Sequence, residues 1–238
     1  FFFFFSGLLG LGGGVLIVPS LILVFGRLGF SPEWIAHLAV GTSLATIIGT
    51  GGASTLAHQR RGAVRWELVW RLAPGIVLGA WAGAAIAGLL PQEWLQRLFG
   101  IFLIYVGVRM LLPRAEIHGA SAPGPLGLTL MGAGIGTLSA IVGIGGGTLT
   151  VPYLARIGLT MRQAVASSSA CGIPIAVAGA IGFMVTGWGK EGLPEMSTGF
   201  VYWPAAIGIL VTSMPMAPMV ASISARRSWP LSTGFIGK

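Results

Sequence analysis

The chain has 238 residues, 54% of them hydrophobic and 8% charged, with a net charge of +8 and no aspartate anywhere. Soluble domains carry about 25% charged residues, so this composition excludes an ordinary soluble fold. The basic balance could mark a nucleic-acid surface, but the Lys and Arg residues sit at the ends of apolar stretches, where they act as topology signals. No nucleic-acid partner is expected.

In chain order, the apolar segments run over 1–25 with a glycine interruption, then 35–57, 66–90 and 95–112. A Pro/Gly/Ser-rich stretch, 113–125, follows and is the one credible linker. Beyond it lie 126–154, again interrupted by glycines, 164–187 and 200–223. Segments of roughly 20 apolar residues cross a bilayer as helix, and the alternation of a membrane β-barrel is absent. The expectation is an all-α, polytopic transmembrane bundle in two halves, 1–112 and 126–238. The chain opens on five phenylalanines without a methionine and closes just after a polar segment, so it reads as incomplete at both ends.

The halves resemble each other. Gly-Leu-Gly-Gly-Gly-Val-Leu-Ile-Val-Pro-Ser-Leu at 10–21 aligns with Gly-Ile-Gly-Gly-Gly-Thr-Leu-Thr-Val-Pro-Tyr-Leu at 143–154, with eight identities in twelve positions. Downstream, Ala-Val-Gly-Thr-Ser-Leu at 39–44 aligns with Ala-Val-Ala-Ser-Ser-Ser at 164–169, and Pro74 has a counterpart in Pro204. Arg60, Arg61, Arg65 and Arg71 place the loop after the second segment inside, as do Arg226 and Arg227 at the end of the last one. The loop with Glu191 and Glu195 is then outside. The loop after the first glycine segment falls outside and its counterpart, with Arg156 and Arg162, inside, which makes the repeats inverted. This requires each glycine segment to be truly broken, as a re-entrant pair or as two short helices.

Glycine triplets weaken helix by about 1 kcal/mol per residue and admit close backbone approach. Unpaired backbone at membrane depth is tolerated where protein or a water-filled cavity satisfies it. A half-helix starting there offers free N–H groups and the positive end of its dipole to an anion. Gly12, Gly13, Gly14, Gly145, Gly146 and Gly147 are therefore candidate substrate-binding residues; the alternative for them is small-residue helix packing. Thr42 and Ser43, with Ser167 and Ser168, are candidate hydroxyl donors for an oxyanion, with helix capping or interhelical bonding as the alternative. Thr46 and Ser169 flank them.

Apolar segments carry no ionisable residue at their centres, so coupling through a buried carboxylate is not expected. His37, His58 and His118 are read as loop residues, and no spaced set of ligands suggests a metal or cofactor. Cys171 is the single cysteine and reads as a packing residue. Ser167–Ser169 have no basic partner nearby in sequence, so an enzyme is not expected.

At the paired Gly-x-Gly-Gly-Gly-x-Leu-x-Val-Pro blocks and at 39–44, the sequence resembles the sulfite exporter TauE/SafE family of bacterial permeases. The resemblance implies a multi-pass protein of the bacterial cytoplasmic membrane, moving sulfite, sulfonates or related small anions by alternating access at a site between the halves. An anion channel using the same site, or a membrane scaffold, are the other readings. Self-association into a homo-oligomer is left open. The family's usual eight segments imply a further helix after Arg227.

Overall fold

The computed structural model describes residues 14–111 and 124–213. These form helices α1 (Gly14–Arg27), α2 (Ile35–Gln59), α3 (Trp66–Leu89), α4 (Gln92–Leu111), α5 (Pro125–Val142), α6 (Gly147–Arg156), α7 (Met161–Thr186) and α8 (Trp203–Ser213). A short antiparallel ribbon, β1 (Ser197–Thr198) and β2 (Val201–Tyr202), precedes α8. Gly12, Gly13, residues 113–123 of the linker and the Arg226–Arg227 pair lie outside the described residues. Among the described residues, α2, α3 and α7 are long and apolar enough to cross a bilayer.

The distribution of side chains fits that environment. On α3, Gly75, Gly79, Ala80, Gly83, Ala84 and Ala87 face inward, whereas Trp70 is 70% exposed, Leu78 65% and Trp81 54%. Water would penalise such an outer surface; lipid does not, and small residues inside let helix backbones approach. The seam between α3 and α5 depends on this. A Cβ on Gly75, Gly79 or Gly83 would strike the backbone of Thr129, Ala133 or Thr137, and one on Gly132 or Gly136 would strike the backbone of Leu72 or Ile76. These pairings advance together along both chains, so α3 and α5 run parallel. The Thr137 hydroxyl adds a hydrogen bond across the seam to the Gly79 carbonyl at 3.0 Å.

Helices α2 and α7 run antiparallel: Gly41 meets Phe183, Leu44 meets Gly179, and Ser54 donates to the Ser169 hydroxyl at 3.3 Å. Helix α7 is started by a capping box between Thr160 and Gln163. Helix α5 starts with Pro125 in its first turn and ends at Gly143, whose φ of +74° closes it in left-handed geometry.

The loops gather at two ends. At one, Arg162 donates to the Arg61 carbonyl, which joins the α2–α3 loop to the start of α7. At the other, Gly192 lies beside Ser31, and the Ala36 amide donates to Gln92 at 2.9 Å. The first end carries Arg60, Arg61, Arg65 and Arg162; the second carries Glu33, Lys190 and Glu191. Because α5 runs parallel to α3 and α6 leads into the loop before α7, the α5–α6 pair leaves from and returns to the arginine end.

Two histidines read as loop residues belong to helix. His37 occupies the first turn of α2 and is fully buried. Its Nε2 lies 3.0 Å from the Ala87 carbonyl and 3.1 Å from that of Leu90, and its ring packs on Trp34 and Phe200. The Ala87 and Leu90 carbonyls at the end of α3 accept from it, which adds a partner at a helix terminus that sequence alone assigned to none. His58 closes the last turn of α2.

Candidate functional site

The glycine block breaks the chain at 143–146, beginning two residues and ending one residue earlier than the 145–147 triplet: α5 stops at Val142, and Gly147 is already the first residue of α6. Gly146, the residue before α6, has a φ of +75°, a conformation that costs other L-residues about 1–2 kcal/mol. Between the two helices the backbone makes a tight link, with the Ile144 amide donating to the Ser139 carbonyl at 2.9 Å and the Gly146 amide to the Ile144 carbonyl at 2.7 Å.

The two glycine blocks meet. A Cβ on Gly14, at the start of α1, would lie 2.5 Å from the Gly143 carbonyl oxygen and 2.8 Å from the Ile144 Cα. Helix α2 supplies one wall of this junction: Val40 packs on Gly143, and Ile47 lies against both Gly14 and Gly145. The other wall is α7, where Gly172 approaches the Gly145 carbonyl and Ile175 covers Gly146. From the junction, α1 runs toward the end where Phe25 packs on Phe30 and Tyr202, and α6 toward the end with Arg162. The two short helices leave it in opposite senses.

Of the hydroxyls expected to donate, Ser43 is at the junction, where its Oγ donates to the Gly143 carbonyl at 2.9 Å. Thr46, one turn on, donates to the Ser43 carbonyl at 2.6 Å. Thr42 lies toward the acidic end and accepts from the Tyr202 amide at 3.0 Å. Ser167, its counterpart in the alignment, lies toward the arginine end and accepts from the Arg65 amide at 3.0 Å. Each thus holds the extended segment that leads into a helix of the other half, α8 and α3 respectively. Ser168 and Ser169 donate to the Val165 carbonyl of their own helix at 2.9 and 3.1 Å. These hydroxyls join backbone to backbone.

A different set of polar groups is unpartnered. The buried hydroxyls of Ser139, Thr148, Thr150 and Tyr153 have no hydrogen-bond partner. Among the described residues, the amides of Gly145, Gly147 and Thr148 also lack an acceptor, as the first turn of a helix leaves them. Sequence reasoning passed over Thr148, Thr150 and Tyr153. The signal was in the alignment: three of its four unlike positions pair Val15 with Thr148, Ile17 with Thr150 and Ser20 with Tyr153. Among the described residues no group of His, Cys, Asp and Glu could hold a metal.

The family model for the sulfite exporter TauE/SafE family matches residues 1–237. A probable membrane transporter protein of Haemophilus influenzae is 35% identical over 97% of this chain and 87% of its own length. Similar proteins with the same description occur in Bacillus subtilis, 29% identical over 76% of this chain and 74% of the relative, and in Methanocaldococcus jannaschii, 27% identical over 91% of this chain and 78% of the relative. No solved structure matches the chain.

Proposed function

Because the chain belongs to the sulfite exporter TauE/SafE family and is a membrane transporter, we propose that it carries small sulfur-containing or organic anions, such as sulfite or sulfonates, through the glycine junction. Transport proceeds by alternating access, one inverted half rocking against the other, in a bacterial cytoplasmic membrane with the arginine end inside. The observation that supports this most is the contact of Gly14 with Gly143 and Ile144, which joins the two repeated blocks at one point between α2 and α7. A helix break enclosed by protein, with free amides at the start of α6, is the kind of midplane site at which secondary transporters hold anions. The opposite directions of α1 and α6 support the inverted relation of the halves. Gly145, Gly147 and Thr148 supply backbone donors, Gly146 makes the turn that aims them, and Ser43 holds the break in shape.

The test is uptake of sulfite and of a small sulfonate into proteoliposomes, with the Gly146→Val variant alongside. Saturable, mutually competed uptake that the variant loses, while it inserts normally, supports the reading. Survival of transport in Gly146→Val would refute the glycine site, and flux that never saturates would make the protein a channel.

A further inference from the structure

We infer that the anion site is built asymmetrically, its side-chain donors coming from α6 and the end of α5 rather than from α1, and that it selects singly charged oxyanions over doubly charged ones. This rests on the glycine junction being the substrate site and goes further by naming which groups hold the anion and what charge they tolerate. Thr150 is fully buried, and its unpartnered Oγ1 lies 3.3 Å from the position a Cβ on Gly146 would take. It therefore lies against Gly146, the residue that opens α6, and the amides that follow, those of Gly147 and Thr148, are unpaired among the described residues. The Thr148 hydroxyl is buried and unpartnered in the same turn, and that of Ser139, 1% exposed, in the last turn of α5. Buried hydroxyls without partners are uncommon because each forfeits its hydrogen bonds to water, and an anion at the break would supply a partner to those that face it. On α1 the matching positions are Val15 and Ile17, whose side chains have no polar atom to offer.

The charge limit follows from what surrounds the break. Among the described residues, the side chains nearest to it, Val18, Val40, Ser43, Ile47 and Ile175, are all neutral. Arg156 stands at the far end of α6. Hydroxyls, amides and a helix dipole worth roughly half a positive charge can offset one negative charge. A second would be left desolvated without a counter-charge. A sulfonate or hydrogen sulfite fits this site; sulfite dianion and sulfate do not.

Binding can be read apart from flux, by thermal unfolding of the full chain in detergent with methanesulfonate or sulfate added. The expected result is a concentration-dependent rise in Tm with methanesulfonate and none with sulfate. Thr150→Val, which keeps shape and loses the hydroxyl, should weaken methanesulfonate binding about tenfold, and Thr150→Ser should restore it. Equal stabilisation by sulfate, no stabilisation by methanesulfonate, or unchanged affinity in Thr150→Val would each overturn the inference. Selective binding without uptake would leave it standing and count against transport; uptake with equal sulfate affinity would do the reverse.

Discussion

The Ser43 hydroxyl on α2 donates to the carbonyl of Gly143, 2.9 Å away and one hundred residues later in the chain. The acceptor lies where α5 has ended, so no helical amide is available to it. Ser43→Ala should therefore lower stability by about 0.6 to 1.7 kcal/mol, the range for interhelical hydrogen bonds in membranes. Reversible unfolding in mixed micelles measures this. Ser168→Ala is the comparison: its hydroxyl donates within its own helix, and an equal loss there would mean that the Gly143 contact contributes nothing special.

Gly79 and Gly134 predict opposite responses to a side chain. At Gly79 a Cβ would meet the Ala133 Cα at 2.8 Å, whereas at Gly134 nothing lies within 4 Å. Backbone cannot move aside as a flexible side chain can, so Gly79→Leu should separate α3 from α5 and abolish accumulation of folded protein. Gly134→Ala should be neutral or stabilising by up to about 1 kcal/mol, because alanine is the better helix former. Expression and gel-filtration profiles of the two variants decide the matter; normal behaviour of Gly79→Leu would contradict the seam.

Gly146 combines two constraints that can be separated. Its φ of +75° penalises any side chain, and a Cβ would collide with the Ile175 Cδ1. Gly146→Ala should lose more stability than Gly145→Ala, which meets the side chain of Ile47 at 2.7 Å without a positive φ. Shortening the neighbour, in Gly146→Ala/Ile175→Val, should recover the steric part and leave about 1–2 kcal/mol of backbone strain. Full recovery would show that the left-handed turn is dispensable.

Orientation can be tested on an almost cysteine-free background. Cys171 is the one cysteine of the sequence and is fully buried in α7. Exposed Glu191 and Arg61 lie at opposite ends of the bundle. A membrane-impermeant maleimide should label Glu191→Cys in intact cells and Arg61→Cys only after permeabilisation. The reverse pattern would invert the topology.

Much of the architecture was legible because lipid imposes simple rules. Long apolar runs, charges confined to their ends and a repeated Gly-x-Gly-Gly-Gly block lead to membrane helices and to a break at the 145–147 triplet; α2, α3 and α7 are long and apolar enough to cross a bilayer, and the helix is interrupted at 143–146. The seam between α3 and α5 was also written in the spacing of Gly75, Gly79 and Gly83, but packing glycines cannot be told from breaking glycines until the partner helix is seen. Similarly, the ribbon at 197–202 has too few residues for any periodic signal, yet it carries Phe200 into the core beside His37 and Phe183.

The site divides along the same line. Sequence by itself determined the class of protein, the two glycine blocks and the hydroxyl-bearing residue types, because composition and repetition are properties of the chain alone. Only tertiary structure decided that Gly14 meets Gly143, that Thr42 and Ser167 are spent on the Tyr202 and Arg65 amides, and that Thr148 and Thr150 are left without partners. A hydroxyl's availability depends on which distant backbone group reaches it first, and that is fixed by how the helices pack.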